Sequence, residues 1–197
     1  MKAALILAGG QAVRLHGEKK ALITLRGKPL LQWVIKAVSA SVDNLYLSGD
    51  HDLLHFGYPV IKDKIPNLGP LSGFHAGFSV ITSEYTFVAG CDMPFINPDV
   101  IHFLFEKAKG YSCCIPRENQ YTEPLCCVYN TKDVKTSIDS VIEKGEKRIF
   151  NLIECLPNPR FIPFEEIRTI DPDLMSFKNV NTFEDLVNAE KILKSRE

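Results

Sequence analysis

Ala3-Ala4-Leu5-Ile6-Leu7-Ala8-Gly9-Gly10 is the stretch whose reading decides the fold. From Ala3 to Leu7 the chain is continuously apolar over strand length, as in a parallel strand buried on both faces, and the paired glycines end it abruptly. With Arg14, Lys19 and Lys20 close behind, the run is too short for the apolar core of a secretory signal. It reads as the first strand of a sheet.

Outward from this strand, apolar runs of strand length alternate with segments of helical period. Leu30, Leu31, Val34, Ile35 and Val38 repeat at helical spacing after Pro29, a favourable first-turn residue. Asn44 to Leu47 reads as a second strand, Tyr58 to Ile61 as a third, Ser72 to Ile81 as a helix, Tyr85 to Ala89 as a strand and Pro98 to Lys109 as a helix. Beyond these, Ser112 to Ile115 and Leu125 to Tyr129 predict strands around a polar loop, Arg117 to Thr122; Val134 to Ile142 predicts a helix and Phe161 to Phe164 a strand. Thr182 to Lys194 predicts a closing amphipathic helix capped by Thr182, with Asp185 near a capping-box position. Such alternation implies an α/β fold, a mostly parallel central sheet with right-handed crossovers and helices on both faces.

The 197 residues are 45% apolar, with no repeat and no linker-like tract, which predicts a single domain over residues 1–197. Lys+Arg and Asp+Glu number 23 and 24, a balance that argues against a nucleic-acid binder. The absence of an apolar run of about 18 residues argues against a membrane helix. Six cysteines without Cys-x-x-Cys spacing read as reduced core thiols of a cytoplasmic protein.

Two sites carry chemistry. Gly9-Gly10 at the carboxyl end of a buried strand can turn tightly and bring backbone N–H groups close to phosphate oxygens, and Arg14 and Lys20 can neutralise a triphosphate and the charge of departing pyrophosphate. The competing reading is a strand-end turn with solvated lysines. Neither Gly-x-Gly-x-x-Gly nor Gly-x-x-x-x-Gly-Lys-Ser/Thr is present, which argues against a dinucleotide dehydrogenase and a P-loop ATPase. The second site is Gly90-Cys91-Asp92-Met93-Pro94. A carboxylate at the end of a central strand needs a cation or donors, and Mg²⁺ on nucleotide phosphates is a natural partner for Asp92; the alternative is a turn cap.

With these motifs in view, the chain resembles the molybdenum cofactor guanylyltransferases, within the wider nucleotidyltransferases of Rossmann-like fold. The resemblance rests on Leu7-Ala8-Gly9-Gly10 with Arg14 and Lys20, Lys20-Ala21-Leu22 to Gly27-Lys28-Pro29-Leu30, Gly69-Pro70-Leu71-Ser72-Gly73, Cys91-Asp92-Met93-Pro94, and Asn179-Val180-Asn181-Thr182 with Glu184-Asp185. It implies Mg²⁺-dependent transfer of GMP from GTP to the terminal phosphate of molybdopterin or its molybdenum form, with release of pyrophosphate. Arg14, Lys20 and Asp92 would be catalytic. Leu7, Ala8, Gly9, Gly10, Lys20, Asp63 and Asp92 would bind the nucleotide, Asp92 and Asn181 the metal, and Asn179 and Asn181 the acceptor. Molybdoenzyme apoproteins or other cofactor-assembly proteins are the implied partners, with no nucleic acid and no membrane.

The chain also departs from the family pattern. Arg14-Leu15-His16-Gly17 and Glu18-Lys19-Lys20 stand where the family has Arg-Met-Gly ahead of an Asp-Lys pair. Lys20 is preferred through its continuity with Ala21-Leu22, while Lys19 is the other register. Ser48 replaces an asparagine found in some members and Phe183 a proline, which bears on base choice and the pterin side. CTP-dependent cytidylyl transfer and transfer to a sugar phosphate are the alternatives within the class, and a non-catalytic molybdopterin carrier, which has no need of a metal carboxylate, is the alternative outside it. His51 and His55 have metal-pair spacing without the glutamate of a zinc protease, and read as an exposed helix face. Arg117 to Gln120 with Tyr121 and Tyr129 reads as a loop beside the acceptor site; Lys144, Lys147 and Arg148 read as a solvated helix end or as a contact for an anionic pterin phosphate.

Overall fold

Lys2–Leu7 forms the strand β1, and a single turn at Lys20–Leu22 leads to a small hairpin, β2 (Thr24–Leu25) and β3 (Lys28–Pro29). Then come α1 (Leu30–Ser39), β4 (Asn44–Ser48), a short turn helix at His51–Phe56, β5 (Val60–Ile61), α2 (Pro70–Val80), β6 (Tyr85–Gly90) and α3 (Pro98–Ala108). The second half contributes β7 (Cys113–Glu118), β8 (Tyr121–Thr122), β9 (Cys126–Asn130), α4 (Thr131–Glu143), α5 (Ile149–Cys155), β10 (Pro159–Pro163), α6 (Phe164–Arg168) and α7 (Phe183–Lys194). The structure, a computed structural model, describes residues 1–9, 19–65 and 67–195. Gly10 and Arg14 of the expected phosphate loop lie outside the described residues.

The main sheet runs β10-β7-β9-β6-β1-β4-β5, with β8 paired to β7. Along that path β9 runs against both its neighbours, and the other pairs are parallel. Leu7 lies opposite Ser48 on one side and Gly90 on the other, and Ser48 lies opposite Ile61. The four contiguous parallel strands β6, β1, β4 and β5 therefore end level, and the segments that leave them share one edge, where open α/β sheets bind ligands.

Strand alternation divides the core. Ala4 and Ile6 of β1 face α1 and α3 through Leu31, Val34, Val100 and Leu104. Ala3 and Leu5 face the opposite layer, with Phe74 and Phe78 of α2, Val134 of α4 and Leu152 of α5. Helices thus cover both faces, as the alternation predicts. A third cluster joins Ala189, Leu186 and Ile192 of α7 to Leu25, Leu30, Phe95 and Val180. It packs the end of the chain beside the carboxyl edge of the sheet.

The differences from the sequence reading have local causes. Arg117 to Thr122 is no simple loop: β7 continues to Glu118 and folds back into β8 through Asn119, whose φ of 54° asparagine tolerates. Phe164 starts α6 rather than ending a strand. Helix α5 and the hairpin β2–β3 are too short to show a period, and Arg26 and Gly27 both take the positive φ that a tight hairpin turn requires. Five cysteines are buried and free, while Cys155 is exposed. Burial pushes the thiols of Cys91, Cys113 and Cys114 up to about 12, which makes them inert packing groups. Among the described residues no helix is long and apolar enough to cross a membrane.

Candidate active site

A cavity of about 410 Å³ opens at the carboxyl edge of the sheet, between the ends of β1, β4 and β6 and the start of α2. Leu7, Gly9, Lys20, Ser48, Asp63 and Asp92 all line it. Backbone bonds fix its floor: Ala8 N–H donates to the Ser48 carbonyl at 2.8 Å, Gly49 N–H to Ile61 at 3.0 Å and Cys91 N–H to Leu7 at 3.1 Å.

Lys20 leaves the turn Lys20–Leu22 and reaches across the cavity. Its Nζ donates to Asp92 Oδ2 at 2.5 Å and also to Asn181 Oδ1. The Lys20 and Asp92 side chains are 18% and 15% exposed, so the pair is shielded enough to interact strongly while remaining open to a ligand. Asn181 arrives from the other end of the chain because Val180 N–H donates to the Asp92 carbonyl at 2.8 Å and Val180 is buried in the third core cluster. A capping box at α7 then holds the segment: Asp185 Oδ2 accepts from Asn181 N–H at 2.9 Å and Thr182 N–H at 2.8 Å, while Asp185 N–H donates to Thr182 Oγ1 at 3.1 Å. Partial desolvation acts to raise the Asp185 pKa, but these donors outweigh it and hold the carboxyl below its ordinary value.

Two glycines make this geometry possible. A Cβ on Gly90 would collide with Asp92 Oδ1, so the carboxylate can fold back over the strand end only above a glycine. A Cβ on Gly73 would lie 2.5 Å from Ser48 Oγ and 2.8 Å from Leu7 Cδ2. Gly73→Ala is therefore expected to overpack the junction of α2 with β1 and β4 at a cost of about 1–3 kcal/mol, lowering Tm by roughly 3–10 °C in a thermal melt. An unchanged Tm would show that this junction is not tight.

At the far side of the cavity Ser48 Oγ donates to Asp63 Oδ1 at 3.1 Å. Asp63 is exposed taken as a whole, yet partial loss of water around its carboxyl raises its pKa; the Ser48 bond opposes the rise and the nearby Asp50 charge adds to it. Lys19 turns away from the cavity, to Asp50 Oδ2 at 3.0 Å and Asp52 Oδ2 at 2.8 Å. Asn179 separates from Asn181: it lines a second cavity of about 620 Å³ with Phe95, Lys178, Asp185 and Lys191. Its buried Oδ1 has no hydrogen-bond partner among the described residues.

Sequence reasoning missed Glu123. It is 5% exposed and accepts from Tyr121 O–H at 2.6 Å and Leu125 N–H at 2.9 Å, and burial raises its pKa. Leu125 lines the main cavity and its carbonyl takes Gly90 N–H at 3.2 Å, so Glu123 braces the wall beside Asp92. Its signal was an acid placed directly before Pro124-Leu125 and the apolar strand β9. His51 and His55 are exposed on the short turn helix, and among the described residues no three His, Cys, Asp or Glu side chains gather into a metal cage.

The family model described as MobA-like NTP transferase domain matches residues 4–156. A protein named probable molybdenum cofactor guanylyltransferase, from Methanosarcina mazei, is 34% identical over 95% of this chain and 89% of its own length. The crystal structure of molybdopterin-guanine dinucleotide biosynthesis protein A from Archaeoglobus fulgidus superposes with a TM-score of 0.84 at 31% identity, covering 99% of this chain and 100% of its own. At 12% identity, the 2-C-methyl-D-erythritol 4-phosphate cytidylyltransferase of Thermus thermophilus shares the fold, with a TM-score of 0.72 over 96% of this chain and 98% of its own.

Proposed function

This chain belongs to the family of MobA-like NTP transferase domains, and from that premise we propose that it transfers GMP from GTP to the terminal phosphate of molybdopterin or its molybdenum form, releasing pyrophosphate. The observation that carries the reading is the meeting of Lys20, Asp92 and Asn181 at one end of a cavity whose other end holds Ser48 and Asp63. One end suits phosphates and a metal, the other a base and ribose. We take residues 1–197 as one cytoplasmic domain, with molybdoenzyme apoproteins or other cofactor-assembly proteins as recipients.

The acceptor phosphate is already an anion at neutral pH, so the reaction needs no general base. What the chain must supply is position and charge. Backbone groups of Leu7, Ala8, Gly9 and Gly10 would cradle the nucleotide, and Asp63, held by Ser48, would contact it beyond the phosphates. The Lys20 ammonium, with Arg14, would take up the charge that builds on the phosphoryl oxygens. A carboxylate and an amide oxygen that converge on one cation are hard-cation donors, so Asp92 and Asn181 fit Mg²⁺, which commonly takes one or two protein oxygens and completes its shell with phosphates and water. When bound there, Mg²⁺ would screen the triphosphate and stabilise the leaving pyrophosphate. We assign Asn179 to the acceptor side together with Asn181, two residues on; it lines the second cavity, and its Oδ1 has no hydrogen-bond partner among the described residues.

The experiment mixes the protein with Mg²⁺, molybdopterin and each of the four NTPs, and reads pyrophosphate and product mass. Turnover with GTP alone is expected. Turnover with CTP alone would mean cytidylyl transfer, and tight pterin binding without any turnover would mean a carrier.

A further inference from the structure

Adjacent lysines of identical charge take opposite partners here. Lys20 enters the cavity, whereas Lys19 Nζ sits between Asp50 Oδ2 at 3.0 Å and Asp52 Oδ2 at 2.8 Å. The Lys19 backbone is extended, with φ −66° and ψ 119°, and the chain enters the Lys20–Leu22 turn directly after it, so the two neighbouring side chains leave the backbone in different directions, one to Asp50 and Asp52 and the other to Asp92. Fixing Lys19 on the Asp50–Asp52 turn therefore aims Lys20 at Asp92 and Asn181.

The segment that receives Lys19 also organises the rest of the cavity. Ser48 accepts the Ala8 N–H through its carbonyl and holds Asp63 through its hydroxyl, and Gly49 N–H is bonded to Ile61. Residues 48 to 52 thus contact the end of β1, the Asp63 carboxyl and Lys19. Resting on the nucleotidyl-transfer reading above, we infer that Lys19 is a positioning residue: its clamp on Asp50 and Asp52 sets the spacing between the Lys20 end and the Ser48–Asp63 end of the cavity, and so sets nucleotide affinity.

The rival role for Lys19 is that of a surface charge that draws in the anionic nucleotide. The two roles differ in sign. If Lys19 acts by charge alone, removing the negative charges of Asp50 and Asp52 strengthens GTP binding. If Lys19 acts as an anchor, removing its acceptors weakens binding even though the protein becomes less negative.

The test is a GTP titration of the full chain with Mg²⁺ and no acceptor, repeated with CTP, ATP and UTP, beside steady-state kinetics. Both ion pairs are solvent-exposed and individually weak, so Lys19→Met is expected to weaken GTP binding by about five- to tenfold and raise KM accordingly, with kcat falling less than about twofold. Asp50→Asn/Asp52→Asn is expected to weaken binding to a similar extent, and adding Lys19→Met to it should change little more, since the residues act as one unit. Lys19→Arg should restore most of the affinity. Tighter GTP binding by the acid variant, unaltered affinity in Lys19→Met, or a collapse of kcat at constant affinity would each overturn the anchor. If the unsubstituted protein binds none of the four nucleotides, the nucleotidyl-transfer reading itself fails; if it binds GTP and the variants match it, only the anchor fails.

Discussion

Asp92→Ala is expected to lower turnover by about two orders of magnitude or more, the usual cost of losing one preorganised group that faces developing charge. The carboxylate is the only acid that Lys20 Nζ contacts among the described residues, and with Asn181 it supplies the oxygens proposed for Mg²⁺. Its loss should not unfold the protein. The bond that ties the carboxy-terminal segment to this strand end runs from Val180 N–H to the Asp92 main-chain carbonyl, which the substitution spares. Thermal melting should accordingly shift by no more than about 4 °C, while pyrophosphate release collapses. Asp92→Asn tests the charge alone, since it keeps the size of the side chain; near-normal release by either variant would remove Asp92 from the chemistry.

Lys20→Ala should produce a loss of similar size, about a hundredfold in kcat, because the ammonium is the one described cation that lines the main cavity. Removing it also leaves Asp92 as a shielded carboxylate without its cation. Lys20→Arg should not rescue the rate: the planar guanidinium is larger than the compact ammonium now seated between Asp92 and Asn181, and it presents its donors differently. The signature is a fall in kcat, in contrast to the rise in KM expected at Lys19. A full rate in Lys20→Ala would move the catalytic role to Lys19 and reverse the division of labour between the two residues.

Much of the architecture was legible because burial imprints itself on sequence. The run Ala3–Leu7, the helical spacing of Leu30 to Val38 and the cap at Thr182 each report a local environment, and each appears where expected. Asp92 stood out for a related reason, since an acid at the end of an apolar strand needs a cation or a donor, and Lys20 Nζ meets it there. What local pattern does not contain is the meeting of distant segments. Asn181 drew notice only through a family resemblance, and its approach to Lys20 depends on α7 packing against Leu25, Leu30 and Phe95. The same is true of the two lysines: neighbours of one type cannot be told apart until the turn geometry sends one to Asp50 and Asp52 and the other to Asp92. Glu123 escaped because its burial is created by the β7–β8 hairpin, which a polar stretch conceals.

The central claim is that the Lys20–Asp92–Asn181 centre carries nucleotidyl transfer to a pterin phosphate. It is tested most directly by acceptor-dependent pyrophosphate release from GTP and Mg²⁺, measured side by side for the unsubstituted protein and Asp92→Ala. Release that requires molybdopterin in the first and falls by about a hundredfold in the second is the predicted result. Release that ignores the acceptor, or that proceeds equally in both proteins, would contradict it.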